Sequence, residues 1–190
     1  MHFKSIALTL MFIASLMGCT SKQNDLKKVN LKGKVWKVWI SRYQGLEKFG
    51  QYELGDKLPL GNQCYIYNEA GNLTELQDLS WDGGIEKRAK YSYDQEGNCT
   101  EIRTYADGLL VLQEVKQTEN NHITESTLFD EKGDLIEKYI FSYSGPKIAG
   151  AMLYDQQGDL VMSIQNEWSG DELLKQIVQD SLQEVSITYA

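Results

Sequence analysis

The nine-residue phrase YDQEGNCTE, residues 93–101, recurs in outline three more times: YNEAGNLTE from Tyr67, FDEKGDLIE from Phe129 and YDQQGDLVM from Tyr154. Each copy keeps an aromatic, an Asp or Asn beside it, and a glycine three residues after that. A leucine follows two positions beyond the glycine, except where Cys99 stands. An Asp or Asn followed by Gly at that offset fits a type I turn closed by a residue in the left-handed region. Gly71, Gly97, Gly133 and Gly158 are therefore expected to take positive φ, which costs a side-chain-bearing residue more. Asn68, Asp94, Asp130 and Asp155 are expected to accept hydrogen bonds from the turn backbone. The flanking residues then face each other as Tyr67 with Leu73, Tyr93 with Cys99, Phe129 with Leu135 and Tyr154 with Leu160. Such cross-strand pairs contribute ~0.2–1 kcal/mol each. A calcium-loop reading of DEKGD and DQQGD fails for want of oxygen ligands, since two carboxylates at that spacing are too few.

Further turn signals fill the gaps: DGG at Asp82, ADG at Ala106, NNH at Asn120, SGP at Ser144 and SGD at Ser169. The runs between them show partial alternation, as in Leu135, Tyr139, Phe141 and Tyr143, or Ile85, Ala89, Tyr91 and Tyr93. Short alternating runs with a turn every ten or so residues predict an all-β chain. Connections this short allow antiparallel neighbours and no crossover helices. The expected fold is a long antiparallel meander of roughly 11–13 strands in one twisted, curling sheet. Two strands are expected between the turns at Asn68 and Asp94, three between Asp94 and Asp130, and two between Asp130 and Asp155. The odd count should put the first two turns on one edge of the sheet and the last two on the other.

The N-terminus differs. After Lys4, the apolar run IALTLMFIASL (Ile6–Leu16) is too short to span a bilayer and of the right length for a signal-peptide core. It leads into LMGC, Leu16–Cys19, which resembles the bacterial lipobox. That resemblance implies cleavage before Cys19, acylation of Cys19, and attachment to a membrane through its acyl chains. Residues 1–18 are read as the leader, 19–31 as the acylated cysteine and a polar tether, and 32–190 as a single β-domain. KVWKVWISRY (Lys34–Tyr43) reads as one strong strand, and Gly45–Gly61 as an excursion before the repeats. Thr20, with no Asp after the cysteine, points to the outer membrane by the sorting rule of some lipoprotein families.

The formal net charge of −8 argues against nucleic acid, whose phosphates require basic clusters. It argues equally against adhesion to anionic lipid by anything other than the acyl chains. Cys64 and Cys99 could form one disulfide in an oxidising compartment, but Cys99 occupies the leucine position of the phrase and reads better as a small core residue.

Taken together, the repeated phrase resembles the YD repeats of the Rhs family, over about residues 63–180. In that family the repeats build long, curling antiparallel sheets. With the lipobox and the LKGKVWKV opening, the chain looks like small YD-repeat lipoproteins of Gram-negative bacteria. The resemblance implies a scaffold and transfers no catalytic residue.

Chemistry is hard to find. His122 is the one histidine outside the leader and lies in an expected turn, where solvation is its usual state. No Ser–His or Cys–His motif, zinc-ligand cluster or phosphate loop is visible. Glu75, Glu101 and Glu137 recur with the repeat, as a ladder of surface residues would. No cofactor or metal and no catalytic residue is expected. Trp36, Trp39, Trp81, Trp168 and eleven tyrosines either cover one face of a thin sheet or present a platform for a sugar or a protein. The leading reading is a non-enzymatic, lipid-anchored binding scaffold for a glycan or an envelope protein. An immunity-like lipoprotein that plugs the basic site of an effector comes second, and a hydrolase third.

Overall fold

The computed structural model describes residues 24–180 and 183–189. The leader and Cys19 lie outside the described residues. Among the described residues, one short helix, α1 (Asp25–Lys28), precedes fourteen strands. These are β1 (Lys37–Ile40), β2 (Tyr43–Lys48), β3 (Gln51–Lys57), β4 (Asn62–Tyr67), β5 (Leu73–Leu79), β6 (Ile85–Tyr93) and β7 (Cys99–Ala106). They continue as β8 (Leu109–Glu119), β9 (His122–Asp130), β10 (Leu135–Ser144), β11 (Lys147–Tyr154), β12 (Leu160–Ser169), β13 (Glu172–Asp180) and β14 (Glu184–Thr188).

Twelve of them form one antiparallel sheet in the order β1-β4-β5 and onward to β14, while β2 and β3 pair with each other alone. The chain is the expected all-β meander. Three strands, β7, β8 and β9, separate the turns of Asp94 and Asp130, and two separate each of the other pairs of turns. The turns of Asn68 and Asp94 thus leave one edge of the sheet and that of Asp130 the opposite edge, because each antiparallel strand reverses direction. The NNH signal is a true turn without glycine. Asn120 and Asn121 both take positive φ, 52° and 63°, which Asn tolerates better than most residues.

The described residues group into two compact units, one of 24–117 with 126–137, the other of 118–125 with 138–180 and 183–189. In the second unit the core is one face of the sheet. Tyr139, Leu153 and Met162 stand in one cross-strand row, and Phe141, Ala151, Ile164 and Val178 in the next. All but Val178, which packs against them, are buried. In the first unit a polar row and a largely apolar row lie on opposite faces, although the face of the polar row also carries buried Cys64 and the other face the buried Glu114. Val38, Tyr65, Leu76, Ala89, Thr104 and Leu112 are register partners on one face. Glu75, Lys90, Arg103 and Gln113 are register partners on the other.

The N-terminal expectations need correction. Lys34–Tyr43 is not one strand: pairing covers only Lys37–Ile40, opposite Gln63–Ile66 of β4. The ladder stops because the Arg42 amide donates to the Asn62 side-chain oxygen (3.1 Å), which turns the chain out of the sheet. The excursion that follows is itself a hairpin, β2–β3, turned at Phe49 and Gly50, both at positive φ (56° and 78°). Asn62, 1% exposed, holds its root, since its side-chain nitrogen donates to the Leu58 carbonyl at 2.8 Å. Residues 24–31, read as part of a polar tether, are folded onto the first repeat by contacts described below.

Candidate binding surface

The four repeated turns share one hydrogen-bond set. In the second copy the Gly97 amide donates to the Asp94 carbonyl (3.2 Å) and the Asp94 amide to the Asn98 carbonyl (3.0 Å). One Asp94 carboxylate oxygen accepts from the amides of Glu96 (2.9 Å) and Asn98 (2.8 Å). Asp130 and Asp155 repeat the pattern, and Asn68 accepts from the Asn72 amide. Gly71, Gly97, Gly133 and Gly158 lie at φ between +82° and +89°. Tyr67 pairs with Leu73, Tyr93 with Cys99, and Tyr154 with Leu160. Hydrogen bonds from Asn98 and the turn amides hold the Asp94 carboxyl below its ordinary range, and the Asp134 and Lys132 amides do the same for Asp130. Among the described residues, no group of three His, Cys, Asp or Glu side chains could hold a metal ion.

The first turn carries more than a hairpin. Asn24 donates to the Ala70 carbonyl (2.6 Å), and the Leu26 amide to the Gly71 carbonyl (3.1 Å). The Asp25 carboxylate accepts from the Leu73 amide (2.8 Å) and the Tyr93 hydroxyl (2.9 Å) and pairs with Lys28 (3.0 Å). Burial pushes Asp25 up, but the Leu73 amide, Lys28 and Tyr93 outweigh it and hold the carboxyl below its ordinary value. Burial, with the Asp25 charge beside it, pushes the Tyr93 phenol far up. Leu26 is buried. This latch was invisible to pattern reading, because four helical residues have no period to detect.

A second device also escaped the sequence. Three aromatics donate from their polar tips to a carbonyl twenty residues back, on the neighbouring strand. These are Tyr93 to Leu73 (2.7 Å), Tyr143 to Ile123 (2.8 Å) and Trp168 to Ile148 (2.9 Å). Each clasps the ends of two strands joined by a hairpin turn, so these three aromatics are structural at both ends.

The remaining candidates are less exposed or better satisfied than the sequence suggests. His122 is half-buried and stacks on Tyr143 with ring centroids 4.4 Å apart, rather than standing solvated. Cys64 and Cys99 are free thiols, the first fully buried. Burial pushes both up, away from the reactive thiolate. Glu75 and Glu101 lie on the polar face, Glu75 opposite Lys90, and Glu101 paired with Arg103 at 2.9 Å. The buried Glu114 carboxylate accepts from Ser126 (2.6 Å) and meets Lys116 at 3.3 Å. Both partners meet the same oxygen, Oε1.

What the structure leaves open is the β1 end of the sheet. Trp36 (71% exposed), Trp39 (58%), Phe49 (106%), Tyr52 (81%), Leu54 (80%) and Leu60 (73%) stand just before β1, on β1, on the hairpin and on its return to β4. Trp81 is exposed in the β5–β6 turn, and its carbonyl accepts from Lys57 at the hairpin root (3.2 Å). Lys37 lies over the Trp39 ring at 4.3 Å. Single exposed apolar residues are ordinary on a protein surface, and here several of the largest fall within residues 36–60.

No protein-family model matches the chain, and no curated protein matches it. Among solved structures it is similar to a porin-like protein from Bacteroides uniformis, with 17% sequence identity and a TM-score of 0.45 over 66% of this chain. The match takes in 51% of that protein, so this chain spans about half of its length.

Proposed function

We propose that this chain is a non-enzymatic binding scaffold, exported and held at the outer membrane by acyl chains on Cys19. Its contact surface is the β1 end. The observation that carries this reading is the set of large aromatics exposed there. By contrast, Tyr67, Tyr139 and Phe141 are buried in the sheet, and Tyr93, Tyr143 and Trp168 each clasp a carbonyl. Exposed tryptophan and tyrosine supply stacking faces for sugar rings and anchors for protein partners. The ligand classes are accordingly a glycan or an envelope protein. The test is a glycan array together with a pull-down from solubilised envelopes, each run with the wild-type chain and with a Trp36→Ser, Trp39→Ser variant. A captured ligand that the variant releases supports the reading; silence in both assays removes it.

A further inference from the structure

The chain's net charge of −8 conceals a local reversal. Residues 32–60, which contain β1 and the β2–β3 hairpin, hold six cationic side chains (Lys32, Lys34, Lys37, Arg42, Lys48 and Lys57). They hold three anionic ones, Glu47, Glu53 and Asp56. Within this basic segment stand Trp36, Trp39, Phe49, Tyr52, Leu54 and Leu60, all largely exposed. Lys32, Lys34 and Arg42 are exposed among them. Lysine and arginine beside exposed tryptophan, phenylalanine and leucine is the composition of surfaces that lie in the interfacial layer of an anionic bilayer. There the cations meet headgroups and the rings reach the acyl boundary. Each Lys or Arg near such a surface contributes about 1 kcal/mol.

Position agrees with composition. Asn24 is bound at Ala70, in the turn between β4 and β5, and β4 is the strand that pairs with β1. The Trp36 carbonyl accepts from the Tyr67 amide at the head of that same turn (2.9 Å). The latch and the start of β1 therefore meet at the same turn.

We propose that the β1 end is seated on an anionic phospholipid surface, with Trp36, Trp39 and the hairpin in the interfacial layer and Lys34, Lys37 and Arg42 over the headgroups. This rests on reading the β1 end as the contact surface and adds an anionic bilayer to the glycan or envelope protein as what that end meets. It departs from the expectation, drawn from net charge, that only the acyl chains touch lipid.

The test uses the processed, acylated chain reconstituted in vesicles whose acyl chains are brominated, a modification that quenches nearby tryptophan. Two vesicle types are compared, phosphatidylcholine alone and phosphatidylethanolamine with phosphatidylglycerol. Quenching about twofold stronger on the anionic vesicles, falling towards the neutral level near 0.5 M salt, is expected. The Lys34→Gln, Lys37→Gln, Arg42→Gln variant should lose the contrast while remaining vesicle-bound through its anchor. A second variant, Trp36→Phe with Trp39→Phe, should lose most of the quenched emission. Equal quenching on both vesicle types, or a contrast that survives neutralisation, would overturn the proposal. So would emission that responds only to an added acidic glycan or envelope protein. Flotation with neutral vesicles reads the anchor separately, and the glycan array and pull-down are run without lipid, so each reading can fail by itself.

Discussion

At the scale of single residues, the glycines and Asp25 make the sharpest claims. Gly158 lies at φ +83° with nothing near a would-be β-carbon, whereas at Gly71 (φ +82°) that carbon would sit 2.6 Å from the Asn24 side-chain nitrogen. Gly158→Ala should therefore cost only the left-handed penalty, about 1–2 kcal/mol in urea unfolding. Gly71→Ala should cost that and displace Asn24 from Ala70. Loss of amide protection at Leu26 in Gly71→Ala, and not in Gly158→Ala, is the expected difference. Asp25 adds a pH dependence. Its folded pKa lies below the ordinary 3.8, so its stabilising effect is complete above the ordinary value and disappears as pH falls through the lower folded one. Protection at Leu26 and Leu73 should hold at mildly acidic pH and decline in strong acid, and Asp25→Asn should weaken it at every pH. Unchanged protection in that variant would show that Leu26 burial alone holds α1.

At the scale of elements, two junctions decide how the sheet is finished. The β2–β3 hairpin is a two-stranded sheet, a form that is marginal in water by itself. It is tied at its root by the buried Asn62 side chain, which serves the Arg42 amide and the Leu58 carbonyl together. Asn62→Ala leaves a donor and an acceptor unpaired, a penalty of about 1–3 kcal/mol. Amide exchange should rise across Tyr43–Lys57 more than in β4 or β5, and a uniform rise would mean that the hairpin is not separately hinged. The aromatic clasps act at the other kind of junction. Tyr143→Phe removes the donor to Ile123 and keeps the ring, so a loss of about 1 kcal/mol in thermal or urea unfolding is expected. The meander was legible because its turns are spelled locally: Asp or Asn, Gly and an aromatic within five residues fix both the turn and the pair that flanks it. The clasps were not legible, because Tyr143 and Ile123 are twenty residues apart and meet only once the register is known. Asn62 was silent for a similar reason: an Asn between Gly61 and Gln63 reads as loop until the chain is seen to leave the sheet at Arg42.

At the scale of the whole molecule, charge is the quantity that sequence totals misrepresent. The balance of −8 predicts repulsion from anionic surfaces, yet adhesion is decided by the segment that makes contact, and residues 32–60 are basic. Latch and basic segment both belong to the β1 end, and the proposed scaffold depends on an acylated Cys19 holding the chain at a membrane. The most direct measurement is metabolic labelling with a fatty acid, followed by membrane fractionation, of the wild-type chain and of Cys19→Ala. The wild type should take up the label and sediment with the outer membrane, and Cys19→Ala should take up none. A wild-type chain that stays unlabelled, or a Cys19→Ala chain labelled as strongly as wild type, would contradict the proposed anchor.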